Sequence, residues 1–183
     1  MIIIKKLGFE CAILCVSLGD KSKISEIIDG WSRRSVWIQF IPSCLVISIR
    51  SIILAVQLAL RDFIRGDNIA RKLNLEIGLR YLARTQVREV LEIFRSISDA
   101  YYWLVVVSKE NVETIAKQII EQGEICERND DICFSNVELD LIARVFEVDK
   151  CLTEKTCKSR NLSQRKALEM IILEKIALGK ILR

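Results

Sequence analysis

The spacing of apolar residues changes along this chain, and each change marks an element. From Phe9 to Leu18 apolar side chains run almost without interruption, which predicts a buried strand. A short helix is expected over 23–29, then a second strand over 36–41 that runs into Pro42. From Ser48 the period lengthens. Ile52, Ala55, Val56, Ala59, Leu60 and Phe63 recur at steps of three and four, the stripe of a helix that ends before Gly66. Asn74 is placed to cap the next helix, with Glu76 in its first turn and Leu75, Leu79 and Leu82 inward. Thr85 is placed to cap a third, with Val87, Val90, Leu91 and Phe94 inward.

The run YYWLVVV, Tyr101 to Val107, is aromatic and β-branched and predicts a third buried strand. Beyond it a helix is expected from Asn111 to Gln122, stopped by Gly123, followed by turns at Asn129, Asp130 and Asp131 and a short strand at 132–134. Helices over 137–147 and 162–182 complete the pattern. The expectation is one α+β domain over residues 1–183: a small, mostly antiparallel sheet packed with helices, with a helical insert at 48–96 between the N-terminal strands and the third strand.

Composition narrows the class. With 51% hydrophobic residues and one proline, a chain of 183 residues has the means to bury one core, or two subregions sharing one. The most apolar region, Ser35 to Leu60, is broken by Pro42 and Arg50 into uncharged runs of fifteen and ten residues. Both fall short of the roughly 18 that a membrane helix needs. Glu10 interrupts the apolar N-terminus, which therefore reads as a strand and not as a signal peptide. A cytoplasmic protein is expected.

Seven cysteines, at 11, 15, 44, 126, 133, 151 and 157, form no CxxC pair, and the chain has no histidine. Buried apolar thiols, a Cys126–Cys133 bridge and a Cys151–Cys157 bridge all remain open from spacing alone. Neither a metal site nor a cofactor is expected. Without histidine every Ser-His or Cys-His dyad is excluded, and no glycine-rich phosphate loop is present. A small acyl or phosphoryl transferase could still use a carboxylate or a Cys nucleophile.

The net charge is only +4, yet it is unevenly distributed. Residues 65–88 carry six basic and two acidic side chains, residues 110–149 three and eleven, and residues 150–183 nine and three. Such blocks fit either solvated helix faces or oriented surfaces that attract phosphate. In the first block Arg80, Arg84 and Arg88 are four apart, so an unbroken helix aligns them, whereas a helix start at Thr85 gathers them at a corner. Tyr81 beside them is either a core-edge tyrosine or a platform for an unpaired base. The last helix carries two apolar rows, Leu168, Ile172 and Ile176 in one and Met170, Leu173, Ala177 and Ile181 in the other. Two rows suit either a helix sunk wholly in the core or one with one face in the core and the other on a partner.

These segments also carry a resemblance. Ala55 and Ala59, then Gly66, Asn68, Ile69 and Ala70, then Leu73 and Leu75-Glu76, then Gln86-Val87, and a closing LExxxxEKIAL from Leu168 to Leu178, resemble the kinase-binding subunits of the KEOPS tRNA-modification complex. The resemblance implies a non-catalytic subunit of the machinery that places a threonylcarbamoyl group on an adenosine next to the tRNA anticodon. Such a subunit docks on the complex's kinase/ATPase subunit, regulates it through its C-terminal tail, and helps recruit tRNA by the single-stranded CCA end. It would act as a monomer within the larger assembly. Candidates for RNA contact are then Arg65, Asn68, Arg71, Lys72, Arg80, Tyr81, Arg84 and Arg88. Candidates for kinase contact are Met170, Leu173, Ala177, Leu178, Ile181, Leu182 and Arg183. Two departures stand out. Ser51 replaces a frequent histidine, and Ala83-Arg84-Thr85 stands where the family places a glycine that would permit a left-handed helix end.

Overall fold

The structure is a computed structural model that describes residues 1–32 and 34–179. Its strands are β1 (Ile2–Lys6), β2 (Phe9–Leu18), β3 (Trp37–Pro42), β4 (Tyr101–Ser108) and β5 (Ile125–Glu127). They form one antiparallel sheet in the order β1-β2-β4-β3, and β5 continues the β1 edge by pairing with Val16 to Leu18. The helices are α1 (Lys23–Ser32), α2 (Ile49–Arg65), α3 (Leu73–Tyr81), α4 (Val87–Ser96), α5 (Val112–Gln122), α6 (Asp130–Ser135), α7 (Leu139–Val145), α8 (Lys150–Arg160) and α9 (Gln164–Leu178).

The central strands β2 and β4 are apolar at nearly every position because both faces of the sheet are covered. Cys11, Ile13 and Cys15 of β2 share one face with Trp103, Val105 and Val107 of β4, and join a core with α2, α3, α7 and α9. Ala12, Leu14 and Val16 share the other face with Tyr102, Leu104 and Val106, under α1 and α5. The α+β class and the helical insert between β3 and β4 are as the sequence pattern predicts. Within the insert the predicted stripe of α2 is buried at Ile52, Ala55, Val56, Ala59 and Leu60, and Gly66 ends the helix with a φ of 75° that favours glycine.

Several local expectations are corrected. Residues 132–134 are helical, not a strand: Asn129 accepts a hydrogen bond from the Asp131 amide, and Asp130 and Asp131 sit in the first turn of α6, where acids are stabilised. The short strand lies earlier, at 125–127. Asn74 is not a cap; Lys72 occupies that position, without a side-chain bond. Thr85 is not one either, since α4 starts at Val87 after Gln86. The α8 helix escapes an apolar-period reading because it buries only Thr153, and its start rests on the Asp149 carboxylate accepting from the Cys151 amide. The β1 strand likewise buries no residue fully and pairs only as an edge.

Neither of the cysteine bridges left open by the spacing forms. Cys133 is bonded to Cys15, with Cα atoms 6.0 Å apart, while Cys126, Cys151 and Cys157 are free. The reason is topological: α6 lies on the sheet face that Cys15 points to, a neighbourhood that sequence spacing does not reveal. The bond spans 118 residues and joins α6 to the centre of the sheet. Near it, Asp99 accepts from the Cys44 and Tyr101 amides and from Asn136 at 2.8, 3.1 and 2.7 Å. Burial by itself would raise the Asp99 carboxyl, but these amides together with the Cys44 and Ser43 side chains hold it below its ordinary value. Replacement Cys133→Ala should destabilise the fold by about 2–4 kcal/mol, seen as a lower urea midpoint, and a reductant should affect the native chain and not the variant. An unchanged midpoint in both would show that the bond does not hold α6 in place.

Candidate functional site

The turn between α2 and α3 is built around three buried charges. Arg80 pairs with Asp62, and its Nε lies 3.5 Å from Glu76 Oε1; the three side chains are at most 3% exposed. The other Glu76 oxygen accepts hydrogen bonds from the backbone amides of Ile69 and Ala70, at 2.8 and 2.9 Å. Half-exposed Arg61 adds a second cation to Asp62 at 3.5 Å, and the Asp67 amide donates to the Asp62 carbonyl at 2.9 Å. Asn68 donates to the Ala70 carbonyl at 2.9 Å, tightening the same loop. Charges removed from water at this cost persist only when each finds partners, and here two carboxylates share two cations and two amides.

This network fixes which side of the loop meets solvent. Arg65, Ile69, Arg71 and Lys72 are exposed, and Ile64 stands out beside them at the end of α2. The result is a cationic corner in which exposed Ile64, at the end of α2, and exposed Ile69, on the loop, stand beside Arg65, Arg71 and Lys72. Lys72 reaches Asp29 of α1 at 3.6 Å, a contact between two exposed side chains that a ligand could displace.

The other RNA candidates are dispersed. Arg80 and Tyr81 are buried, and Tyr81 donates its hydroxyl to the Leu45 carbonyl at 2.9 Å while its ring packs edge-on against Phe146. Tyr81 is therefore a core residue and offers no stacking face. Arg84 is spent on the Val145 carbonyl and on Glu147, both at 2.7 Å. Arg88 is exposed and pairs with Glu92 along α4 at 2.7 Å. Between Arg80 and Arg88 the chain turns at Ala83, whose φ of 52° is the left-handed conformation that the missing glycine would have supplied.

The α9 helix divides as its two apolar rows predict. Leu168, Ile171, Ile172 and Ile176 are buried in the core, while Met170, Leu173 and Leu178 are half-buried and Ala177 is exposed. Ile181, Leu182 and Arg183 lie outside the described residues. Burial pushes the Cys11 and Cys44 thiols up to about 12, which keeps both protonated and unreactive, with Asp99 adding to the shift at Cys44. Among the described residues no three His, Cys, Asp or Glu side chains are grouped to hold a metal, and no helix is long and apolar enough to cross a membrane.

The family model described as kinase binding protein CGI-121 matches residues 18–180 of the chain. A search among individually curated proteins finds none that matches.

Two substitutions separate the structural residues of this region from its surface ones. Arg80→Met strands two buried carboxylates and should cost about 3–5 kcal/mol, whereas Arg88→Ala should stay within about 0.5 kcal/mol, both read from urea unfolding. Equal effects would remove the distinction between the buried and the exposed arginine. At the turn, Ala83→Gly should stabilise by about 0.5–1 kcal/mol, because glycine adopts the left-handed backbone without strain. A loss of stability at that position would contradict the assigned turn.

Proposed function

The chain belongs to the kinase-binding family described as CGI-121, the kinase-binding subunits of the KEOPS complex, and from that premise we propose that it is a non-catalytic subunit for tRNA modification. It docks its kinase/ATPase partner through α9 and helps recruit tRNA through the corner that follows α2. The reading is carried by family membership together with the second apolar row of α9, which the fold leaves partly bare at Met170, Leu173, Ala177 and Leu178. A helix that keeps an apolar row only half-buried suits a partner that covers it.

On the RNA side, Arg65, Arg71 and Lys72 supply phosphate contacts, while Ile69 gives an apolar surface for an unpaired base such as those of a CCA end. Asn68 shapes the loop through Ala70 and so acts on RNA through backbone geometry. The rigid Glu76 anchor matters here, because a preordered loop loses little entropy on binding. Threonylcarbamoyl chemistry belongs to other subunits; this chain contributes position and control.

Arg71→Glu with Lys72→Glu should weaken binding of tRNA carrying its CCA end by about tenfold or more and flatten the salt dependence by about two phosphate contacts. Kinase association should be unchanged. Met170→Glu with Ala177→Glu should do the reverse, with thermal melts confirming that both variants fold. If the native chain bound tRNA equally well with and without CCA, or if each pair damaged both activities alike, the division of surfaces would be wrong.

A further inference from the structure

The hairpin of β1 and β2 leaves one edge of the sheet open. Lys6 pairs with Phe9 across a two-residue loop in which Leu7 and Gly8 take φ of 55° and 78°, the left-handed pair of a type I′ turn. Such a loop makes Lys6 and Phe9 a hydrogen-bonded pair, and bonded pairs recur at every second position, so Ile2, Ile4 and Lys6 turn their backbone groups toward β2. Further along β2, on the same side, the Cys15 carbonyl accepts from the Arg128 amide at 2.8 Å, which agrees with this phase. Ile3 and Lys5 therefore point their N–H and C=O groups away from the sheet. β1 is the outer strand here, and among the described residues no backbone hydrogen bond from outside the hairpin reaches either of them.

Open edges are normally guarded by charge along their length, because they template a further strand. Here the lysines stand at one end only, and Met1 to Ile4 are apolar. The side chains sort by face. Ile3 and Lys5 lie on the face of Ala12, and so does Glu127, which stands opposite Val16 on β5. Ile3 is exposed there, and the Lys5 and Glu127 side chains are 75% and 45% exposed. Glu127 marks the far end of β1, its Oε1 3.5 Å from the Met1 nitrogen. One edge thus carries a cation toward one end, an anion at the other and an isoleucine between them.

We propose that this edge docks a second copy of the same chain, β1 pairing antiparallel with β1 across a twofold axis at Ile3. A twofold brings identical edges together in reverse, and this edge is complementary to its own reverse, which favours a second copy over an unrelated strand. In this register Ile3 meets Ile3, and the outward backbone groups of Ile3 and Lys5 find partners. Lys5 of each copy falls opposite Met1 of the other, two positions from Glu127 on the same face, so two Lys5–Glu127 pairs flank one apolar contact. The exposed contact that Lys5 makes with Glu10 at 2.6 Å is exchanged at little cost. The next register of the same phase, centred on Ile4, sets Lys5 against Ile3 and loses both pairs. Pairing of two five-residue strands falls short of the roughly 1,200 Å² at which stable interfaces begin, so the dimer is a weak one. β1 lies outside residues 18–180 that match the family, and the inference does not rest on the proposed function. It departs from the monomeric state that the resemblance implies.

Sedimentation equilibrium of the folded chain from about 1 µM to about 1 mM, with hydrogen exchange at both ends of that range, tests the edge. The mass should rise toward twice the monomer value. Exchange at the Ile3 and Lys5 amides should slow by about tenfold or more as concentration rises, while the Ile2, Ile4 and Lys6 amides, bonded to β2, should not respond. Ile3→Pro removes an outward N–H that the fold itself does not use, so it should abolish dimerisation and leave the thermal midpoint nearly unchanged. Lys5→Glu and Glu127→Lys should each weaken the dimer by about tenfold, and the two together should restore it. Both charge variants sit at exposed positions, so they decide the matter even if the proline disturbs the hairpin. A monomer at every concentration, a dimer that survives Ile3→Pro, or a double charge swap that fails to restore association would overturn the proposal. Slowed exchange at residues 3 and 5 only when the kinase subunit is added, with no self-association, would overturn it too, by giving the edge to a partner's strand.

Discussion

Arg80, Asp62 and Glu76 are taken out of water together, and the geometry of the insert follows from how they satisfy one another. Asp62 comes from the last turn of α2, Glu76 and Arg80 from α3, so the ion pairs lock the two helices across their connecting loop. Glu76 then reaches back to the amides of Ile69 and Ala70. A carboxylate that holds two backbone N–H groups and a guanidinium cannot be exchanged for an apolar residue without releasing the loop. This accounts physically for the motif through which the chain resembles its family. Gly66 makes the left-handed turn, Asn68 ties to Ala70, Leu73 enters the core, and Glu76 anchors what lies between.

The sheet imposes the complementary constraint. Because helices cover both of its faces, the central strands are committed to packing, and Cys15 is bonded to Cys133 within that core. Surfaces for the proposed partners are therefore left to the periphery: the loop after α2 and the half-buried apolar row of α9. The acidic block at 110–149 lies on α5 to α7 and the segments joining them, away in sequence from the cationic corner. The uneven charge thus maps onto different elements of one small fold.

Much of this architecture was legible from periodicity. The central strands and α2 announced themselves through continuous apolar runs and a three-four stripe, and α9 through its double row. What was hidden depends on contacts between distant positions. Arg80 stands in a basic segment and Tyr81 reads equally as a core-edge tyrosine or a stacking platform, and only the approach of Asp62 and Leu45 places both in the interior. Asn74 has the composition of a cap, but Glu76 draws the chain so that α3 begins before it. The polar α8 has no apolar period to detect, and Cys15 and Cys133 are 118 residues apart. Ala83 shows the opposite relation, since a missing glycine left the turn in doubt while the backbone took the left-handed form regardless. Exposed Ile69 was readable as part of a motif, yet not as a surface group, until the Glu76 anchor fixed which side of the loop faces outward.

The central claim is that kinase and RNA use different faces of one rigid subunit. Hydrogen exchange, measured residue by residue on the chain alone, with the kinase subunit, and with a CCA-ended tRNA, tests it most directly. The account predicts that kinase slows exchange along α9 and leaves residues 65–76 unchanged, while tRNA slows exchange at 65–76 and leaves α9 unchanged. Protection of the same segment by both ligands, or protection by tRNA confined to α8 and α9, would contradict it.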